Sequence, residues 1–169
     1  MQDADVVDGI QKRLGELYPD LATTALGITG RVIRLGEALM ARRAEHLAEF
    51  GLTCADFDVM ATLRRVQGPE GVNPRRLLES VLITSGGLTK RLDRLEQAGF
   101  IERSPDPDDR RGTLIRLTDA GVEHIDRVFP SLVDMEQRQL SSELSERQLE
   151  QGASLLRRIH LSIEPPATD

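Results

Sequence analysis

The sequence lacks the residues that build a disulfide framework or a metal site. Its single cysteine, Cys54, cannot close a disulfide within the chain, which fits a reducing compartment or carries no information. The three histidines, His46, His124 and His160, are scattered and show no metal-ligand spacing such as C-x2-C or H-x3-H. We therefore expect no metal ion and no cofactor.

Long apolar runs are missing too. No segment approaches the roughly 18 uninterrupted apolar residues of a membrane span. The first residues do not combine a basic start, an apolar run and a small-residue cleavage site, as a secretory signal does. With 169 residues, 39% of them hydrophobic, the chain is large enough to bury the core of one globular domain. These features predict a cytoplasmic protein that makes no membrane contact.

The charge is unevenly distributed along the chain. A formal net charge of −6 is unusual for a protein that binds nucleic acid. Between Arg75 and Arg116, however, nine basic residues face seven acidic ones, whereas the rest of the chain has 13 basic and 21 acidic residues. The middle of the sequence is therefore its cationic part, with a local balance of +2 against −8 elsewhere.

Apolar spacing and capping residues predict the first helices. Apolar residues recur at helical intervals from Leu21 to Phe50, which predicts a helix of roughly thirty residues, and Gly51 ends it. Thr53 is a good N-cap, and Asp56 three residues later forms a variant of the capping box, so a short buried helix follows. The pair Asn73 and Pro74 has the N-cap and first-turn chemistry of a third, short helix.

The stretch TSGGLTKRLDRLEQAG predicts a fourth helix with two distinct faces. Thr84 or Ser85 caps it and Gly99 ends it. At about 100° per residue, one stripe is apolar and must be buried: Leu88, Leu92 and Leu95. The opposite side carries Gly86, Thr89, Lys90, Asp93, Arg94 and Gln97, and Arg91 flanks the stripe. Two consecutive helices of which the second exposes basic and hydroxyl groups are typical of a helix-turn-helix that enters a major groove.

After Gly99 the period changes from helical to alternating. FIERS and TLIRLT predict two short strands, and PDPDDRRG between them predicts a hairpin tip. A helix-turn-helix followed by a hairpin is a winged helix. Arg110 and Arg111 then lie on the wing, where a guanidinium can contact phosphates or enter a narrow minor groove. Asp108 and Asp109 beside them can hold the loop and orient the arginines.

These features define a set of candidate DNA contacts. Lys90 and Arg94 face away from the leucine stripe, and short side chains near the helix start allow close approach to base edges. Arg75 and Arg76 occupy a helical first turn, where the dipole disfavours cations by up to about 1 kcal/mol, so either a phosphate lies nearby or both are simply solvated. The complete set is Arg75, Arg76, Thr84, Ser85, Gly86, Thr89, Lys90, Arg94, Arg110 and Arg111.

About forty residues of this region, LITSGGLTKRLDRLEQAGFIERSPDPDDRRGTLIRLTDAG, resemble the signature of MarR-type transcriptional regulators. The shared elements are a recognition helix ending in L-x-x-x-G, a strand ending in Arg, a D-x-R-G wing and an L-T-x-x-G motif. In this chain they are Leu95 to Gly99, Arg103, Asp109 with Arg111 and Gly112, and Leu117, Thr118 and Gly121. The resemblance implies a homodimeric winged-helix regulator, a repressor whose DNA affinity changes with a small molecule or with thiol oxidation.

The flanking segments carry more apolar surface than a small winged domain can cover. Thr118 caps one long helix, and Ser145 with Gln148 forms the capping box of the last. A symmetric partner would cover that surface; the alternative is that these helices fold back as a bundle within the chain. The predicted fold is mainly α with a small β-hairpin, divided into an N-terminal tail and dimerisation helix (1–50), a winged helix-turn-helix lobe (51–120, wing 101–117) and C-terminal dimerisation helices (121–169).

Three further residues suggest an effector site. Asp58 lies in the predicted short buried helix, Arg91 borders the core and Arg103 ends the first strand, so the three can meet between the DNA-binding lobe and the dimerisation helices. They form either a salt bridge that ties the lobes or a ligand site. In a urate-responsive branch of the MarR family, an aspartate, arginines and an N-terminal tryptophan bind an acidic effector. This chain has no tryptophan, which argues against urate and leaves a small aromatic acid, carboxylate or phenol.

Cys54 is a candidate for a reactive, redox-sensing thiol. Thiol-sensing members of the family carry their reactive cysteine near the start of the first long helix, whereas Cys54 begins the second. A position near a helix N-terminus lowers a thiol pKa, but an inert, partly buried cysteine is the simpler interpretation.

The sequence thus predicts a homodimer that binds a palindromic operator in double-stranded DNA, with two recognition helices contacting half-sites about one helical turn apart. An alternative is a winged-helix protein-interaction module without a DNA role, against which the outward cations argue. An enzyme is the least favoured class, because no nucleophile paired with a base, no phosphate-binding glycine loop and no metal-ligand set is present.

Overall fold

A computed structural model describes residues 4–68, 70–80, 87–107, 109 and 112–165. The helices and strands, in chain order, are α1 (Val6–Leu17), α2 (Thr24–Ala48), α3 (Cys54–Val66), α4 (Pro74–Ser80), α5 (Leu88–Gln97), β1 (Ile101–Pro105), β2 (Thr113–Leu117), α6 (Asp119–Ser141) and α7 (Glu146–Ile163). The predicted class, mainly α with a small hairpin, is confirmed. Among these residues no helix has the length and apolar character needed to cross a membrane. The chain forms two compact units, Met1–Phe57 and Asp58–Asp169.

The first unit contains a helix where the sequence analysis expected a tail. Asp5 caps α1 and exchanges hydrogen bonds with Asp8 in a capping box made of two aspartates. Arg31 of α2 binds both carboxylates, at 2.8 Å from Asp5 Oδ2 and 2.6 Å from Asp8 Oδ1.

Val7 is buried beside α2, where a Cβ added at Gly30 would lie in ordinary contact with it, 3.4 Å from Val7 Cγ1. At Gly27, by contrast, an added Cβ would lie 2.7 Å from Gln11 Oε1, and the same Gln11 amide donates to the Thr23 carbonyl at 2.8 Å. The close approach of α1 to α2 is therefore at Gly27.

Several predicted helix boundaries are confirmed by their capping contacts. The backbone N–H of Thr53 donates to Asp56 Oδ2 at 3.0 Å, and the N–H of Asp56 donates to Thr53 Oγ1 at 3.2 Å, which completes the expected capping box of α3. Gly51 follows α2 with φ of +71°, a conformation that side chains disfavour. The helix predicted over 21–50 is present as α2, which is shorter at both ends and runs from Thr24 to Ala48.

The core of the second unit is drawn from α3, α4, α5, both strands and α6. Its fully buried side chains are Val59, Met60, Leu63, Leu77, Leu95, Ile101, Ile115, Ile125, Val128 and Leu132. The two strands pair in antiparallel register, with Ile101 opposite Leu117 and Arg103 opposite Ile115. On the other side of β2, Val72 just before α4 exchanges two backbone hydrogen bonds with Ile115, at 2.8 and 2.9 Å. This third segment, which the periodicity did not predict, attaches the start of α4 to the hairpin.

The last two helices start at the predicted caps. Thr118 Oγ1 accepts a hydrogen bond from the N–H of Gly121 at 3.0 Å and donates to the Gly99 carbonyl at 2.6 Å. Gln148 accepts from the N–H of Ser145 at 2.9 Å at the start of α7. None of the described residues of α7 is buried, and Ile163 is 70% exposed. The apolar stripe of α7 therefore lies open in the single chain.

Candidate nucleic-acid interface

The recognition-helix candidate α5 begins later than predicted. Its N-cap is Gly87, with φ of +85° and no side-chain hydrogen bond, so the expected cap at Thr84 or Ser85 is wrong. A glycine adopts this left-handed conformation without steric cost, and two consecutive glycines are poor helix formers, so the helix starts only at Leu88. Five predicted DNA contacts lie outside the described residues: Thr84, Ser85, Gly86, Arg110 and Arg111.

The two faces of α5 are oriented as the apolar spacing predicted. Leu88, Leu92 and Leu95 are 9%, 4% and 2% exposed. Burial of a leucine contributes about 2 kcal/mol, so turning the helix over would cost roughly 6 kcal/mol before any other contact is counted. Thr89, Lys90 and Arg94 are exposed on the opposite face, together with Gln97. The leucine stripe therefore fixes which side chains α5 presents to solvent.

The hairpin that follows α5 has a tight tip. The N–H of Asp106 donates to the Gly112 carbonyl at 3.1 Å, and the N–H of Gly112 donates to the Asp109 carbonyl at 2.8 Å. A Cβ at position 112 would lie 2.8 Å from the Asp106 Cβ and 3.1 Å from the Asp109 Cβ. The glycine of the D-x-R-G motif is therefore required by close approach of the loop to itself.

The cations predicted on α4 are exposed at the start of that helix. Asn73 caps it, since its Oδ1 accepts from the N–H of Arg75 at 2.8 Å. Arg75 and Arg76 occupy the first turn and both are exposed. Their contact with phosphate stays a prediction.

Arg103 connects the hairpin to α5. Its Nη2 lies 2.7 Å from Asp93 Oδ1 and its Nη1 lies 2.6 Å from Glu96 Oε2, and the side chain is 28% exposed. Sequence analysis placed Arg103 with Asp58 and Arg91 in an effector site and did not identify these two carboxylates. Asp58 is buried and Arg91 is half-buried. An effector site formed by the three residues stays a prediction.

A groove between α3 and α6 was not identified from the sequence. It has a volume of about 420 Å³ and is lined by Ala61, Arg64, Arg65, Ile125, Asp126, Phe129 and Pro130. Arg64 binds Asp126 through two hydrogen bonds of 2.8 and 3.0 Å. The hydrogen bond from Arg64 lowers the pKa of the Asp126 carboxyl below its ordinary value. Arg64 and Asp126 are 62 positions apart in the chain, too far for any local pattern to pair them.

Cys54 is the first residue of α3. The thiol of Cys54, which is partly exposed, lies 3.9 Å from the Met40 carbonyl oxygen, a weak hydrogen bond. Across the described ranges, no cluster of three histidine, cysteine, aspartate or glutamate residues could hold a metal ion.

Comparison with known proteins identifies the family. The model described as "MarR family" matches residues 52–113, from the residue before Thr53 to the end of the hairpin loop. The HTH-type transcriptional regulator PecS of Dickeya dadantii (strain 3937) is 34% identical over 155 residues, which cover 92% of this chain and 92% of PecS. The chain belongs to the MarR family of transcriptional regulators.

Solved structures of MarR-family proteins share the fold. Apo MarR from E. coli is 27% identical, with a TM-score of 0.65, and the match covers 77% of this chain and 95% of that protein. Sco3205, a MarR-family regulator from Streptomyces coelicolor solved in complex with DNA, has a TM-score of 0.74 at 22% identity, covering 88% of this chain and 93% of Sco3205. The winged helix predicted from the sequence is thus the fold of this MarR-family chain.

Proposed function

We propose that this MarR-family chain is a homodimeric repressor that binds an operator in double-stranded DNA sequence-specifically and is released by a small-molecule effector. The observation that carries the proposal is the orientation of α5. Its leucines are buried, so Thr89, Lys90 and Arg94 are turned to solvent on the helix that immediately precedes the hairpin. A cationic helix face beside a hairpin matches the chemistry of major-groove recognition with flanking phosphate contacts.

Exposed apolar side chains support the homodimer. Large hydrophobic residues are exposed on α1, α2, α6 and α7, among them Val6, Ile10, Ile28, Ile33, Phe129, Val133, Leu155, Leu156, Leu161 and Ile163. Apolar surface of this extent favours burial against a partner, and two-fold symmetry is the commonest solution. A two-fold dimer would present two copies of α5, which suits a palindromic operator.

The groove between α3 and α6 supports an effector. Phe129, Pro130 and Ile125 provide apolar surface, while Arg65 and the ion-paired Arg64 and Asp126 provide charged groups in its lining. A pocket of this size with a few polar groups suits a small aromatic acid. The alternative effector site, at Asp58, Arg91 and Arg103, belongs to the same proposal, and a substitution in either site that abolishes the ligand response distinguishes them.

Selection of DNA by the purified protein tests the proposal. We expect the protein to retain duplexes from its own genome that share an inverted repeat, with half-sites about 10 base pairs apart. Retention should fall steeply between about 50 and 200 mM salt, since phosphate contacts release counterions. Retention without any shared sequence, or no retention at low salt, would contradict the proposed function.

A further inference from the structure

We infer that Arg103 is a positioning residue that fixes the angle of α5 against the hairpin and thereby sets the specificity of DNA binding. The inference rests on the proposed function and assigns a role to a residue that contacts α5 rather than DNA. The Arg103 guanidinium makes two ion pairs between β1 and α5, one with Asp93 and one with Glu96.

We call the two ion pairs of Arg103, with Asp93 and with Glu96, the Arg103 clamp. Arg103 is seven positions beyond Glu96 and ten beyond Asp93, and each carboxylate binds a different nitrogen of its guanidinium, at 2.6 and 2.7 Å. Asp93 and Glu96 are three residues apart and therefore neighbours on one side of α5. One planar group thus holds two points along the helix, which restricts its tilt as well as its distance from the hairpin.

The clamp is supported on the hairpin side. Arg103 pairs with Ile115, which is fully buried, and shares a face of β1 with the buried Ile101. Ile115 is in turn hydrogen-bonded to Val72. The stem of Arg103 therefore lies beside the buried, hydrogen-bonded part of the hairpin, and its charged end reaches the carboxylates.

Removal of the two carboxylates distinguishes the proposed clamp from a purely electrostatic effect, because the two predict opposite changes in DNA binding. The sequence of α5, LTKRLDRLEQ, has three cations and two anions, so Asp93 and Glu96 reduce the attraction of the helix for phosphate. Their removal should then tighten DNA binding. If the two carboxylates instead anchor α5 to Arg103, their removal should weaken binding to the specific sequence, because the exposed face no longer meets base edges and phosphates together.

The experiment measures the affinities of the full-length protein for a duplex that the wild type selects and for a scrambled duplex of equal length. For R103Q and for D93A/E96A, we expect the ratio of the two affinities to fall about tenfold, whereas affinity for the scrambled duplex changes less than about threefold. In the D93A/E96A background, adding R103Q should lower the ratio of the two affinities by less than about threefold, because both ion pairs of Arg103 are already absent. Circular dichroism melting verifies that each variant is folded, and R103K, which keeps the charge but loses the fork, should behave like R103Q.

R116Q is the matched control. Arg116 lies on β2, is exposed and is ion-paired with Glu102 across the same hairpin, on the opposite face from Arg103. R116Q removes one positive charge, as R103Q does, and one ion pair of the hairpin, but it leaves the contacts of α5 unchanged. We therefore expect the ratio of the two affinities to stay within about twofold of the wild type.

Three results would overturn the inference while leaving the proposed function intact: an unchanged ratio in R103Q, tighter specific binding by D93A/E96A, or an equal cost of R103Q in both backgrounds, which would mark a direct phosphate contact. A wild type that retains no DNA would instead contradict the proposed function, and the inference with it.

Discussion

Single residues explain the motifs of this chain in physical terms. In L-T-x-x-G, Leu117 is buried, Thr118 caps α6 and Gly121 lies against the Phe100 carbonyl, where any Cβ would overlap the oxygen. Such caps were predictable from the sequence because they join residues three positions apart, as in the Thr53 and Asp56 pair. The partners of Arg103 were not, since the contact depends on how the hairpin turns back onto α5.

We expect Gly121→Ala to destabilise the fold. The added methyl group must displace the Phe100 backbone, an overpacking that typically costs about 1–3 kcal/mol. Urea unfolding followed by circular dichroism measures the change. Gly36→Ala in the middle of α2 is the control, because nothing lies within 4 Å of its Cβ position, and it should stabilise by up to about 1 kcal/mol. Equal effects of the two substitutions would contradict the close approach at Gly121.

Among whole elements, apolar spacing and capping residues predicted every helix from α2 to α7 and both strands, whereas α1 and the start of α5 were missed. The leucine stripe of α5 and the alternation of β1 and β2 predicted those elements correctly. The start of α5 moved to Leu88 because Gly87 takes a left-handed conformation. Helix α1 was missed because Gly9 and Gly15 weaken its helical pattern, and contacts from α2 compensate, above all those of Arg31. These contacts come from residues more than twenty positions away, beyond any local pattern.

The attachment of α1 to α2 should be sensitive to acid. The pKa of the Asp5 carboxyl lies below 3.8, chiefly because the Asp8 backbone N–H donates to it and also because Arg31 does. A group whose folded pKa is depressed stabilises the fold above its unfolded value and loses that contribution as pH falls through the folded pKa, so α1 should loosen below about pH 3.8.

Arg31→Met should raise the pKa of Asp5 without bringing it fully to 3.8, since the Asp8 N–H remains. A carboxyl titration followed by NMR measures this shift. Arg13→Met is the control, because the ion pair that the structure describes for Arg13 is with Glu16 on the same helix. A pKa of Asp5 that is the same in the Arg31 variant and the wild type would show that the ion pair does not form.

For the whole molecule, the distribution of charge matters more than its sum. The net charge of −6 would repel DNA, yet the cations of α4 and α5 fall in the central stretch with a local excess of positive charge. Among the described residues, the exposed large apolar side chains lie mainly on the flanking helices instead, with the largest number on α2 and further ones on α7. Sequence patterns could predict this separation because charge and hydrophobicity are compositional, whereas the groove between α3 and α6 required the folded arrangement.

The central claim is that α5 turns Lys90 and Arg94 toward DNA, and the salt dependence of binding tests it most directly. The experiment measures the slope of log affinity against log salt concentration for K90A/R94A and for the control K12A/R13A. The control also removes one lysine and one arginine, both of them exposed on α1. The account predicts a weaker salt dependence for K90A/R94A. The magnitude of its slope should fall by about 0.9 for each phosphate that the variant no longer neutralises, roughly 3 to 4 for a dimer, while K12A/R13A leaves the slope unchanged. Equal slopes for K90A/R94A and the wild type would contradict the account.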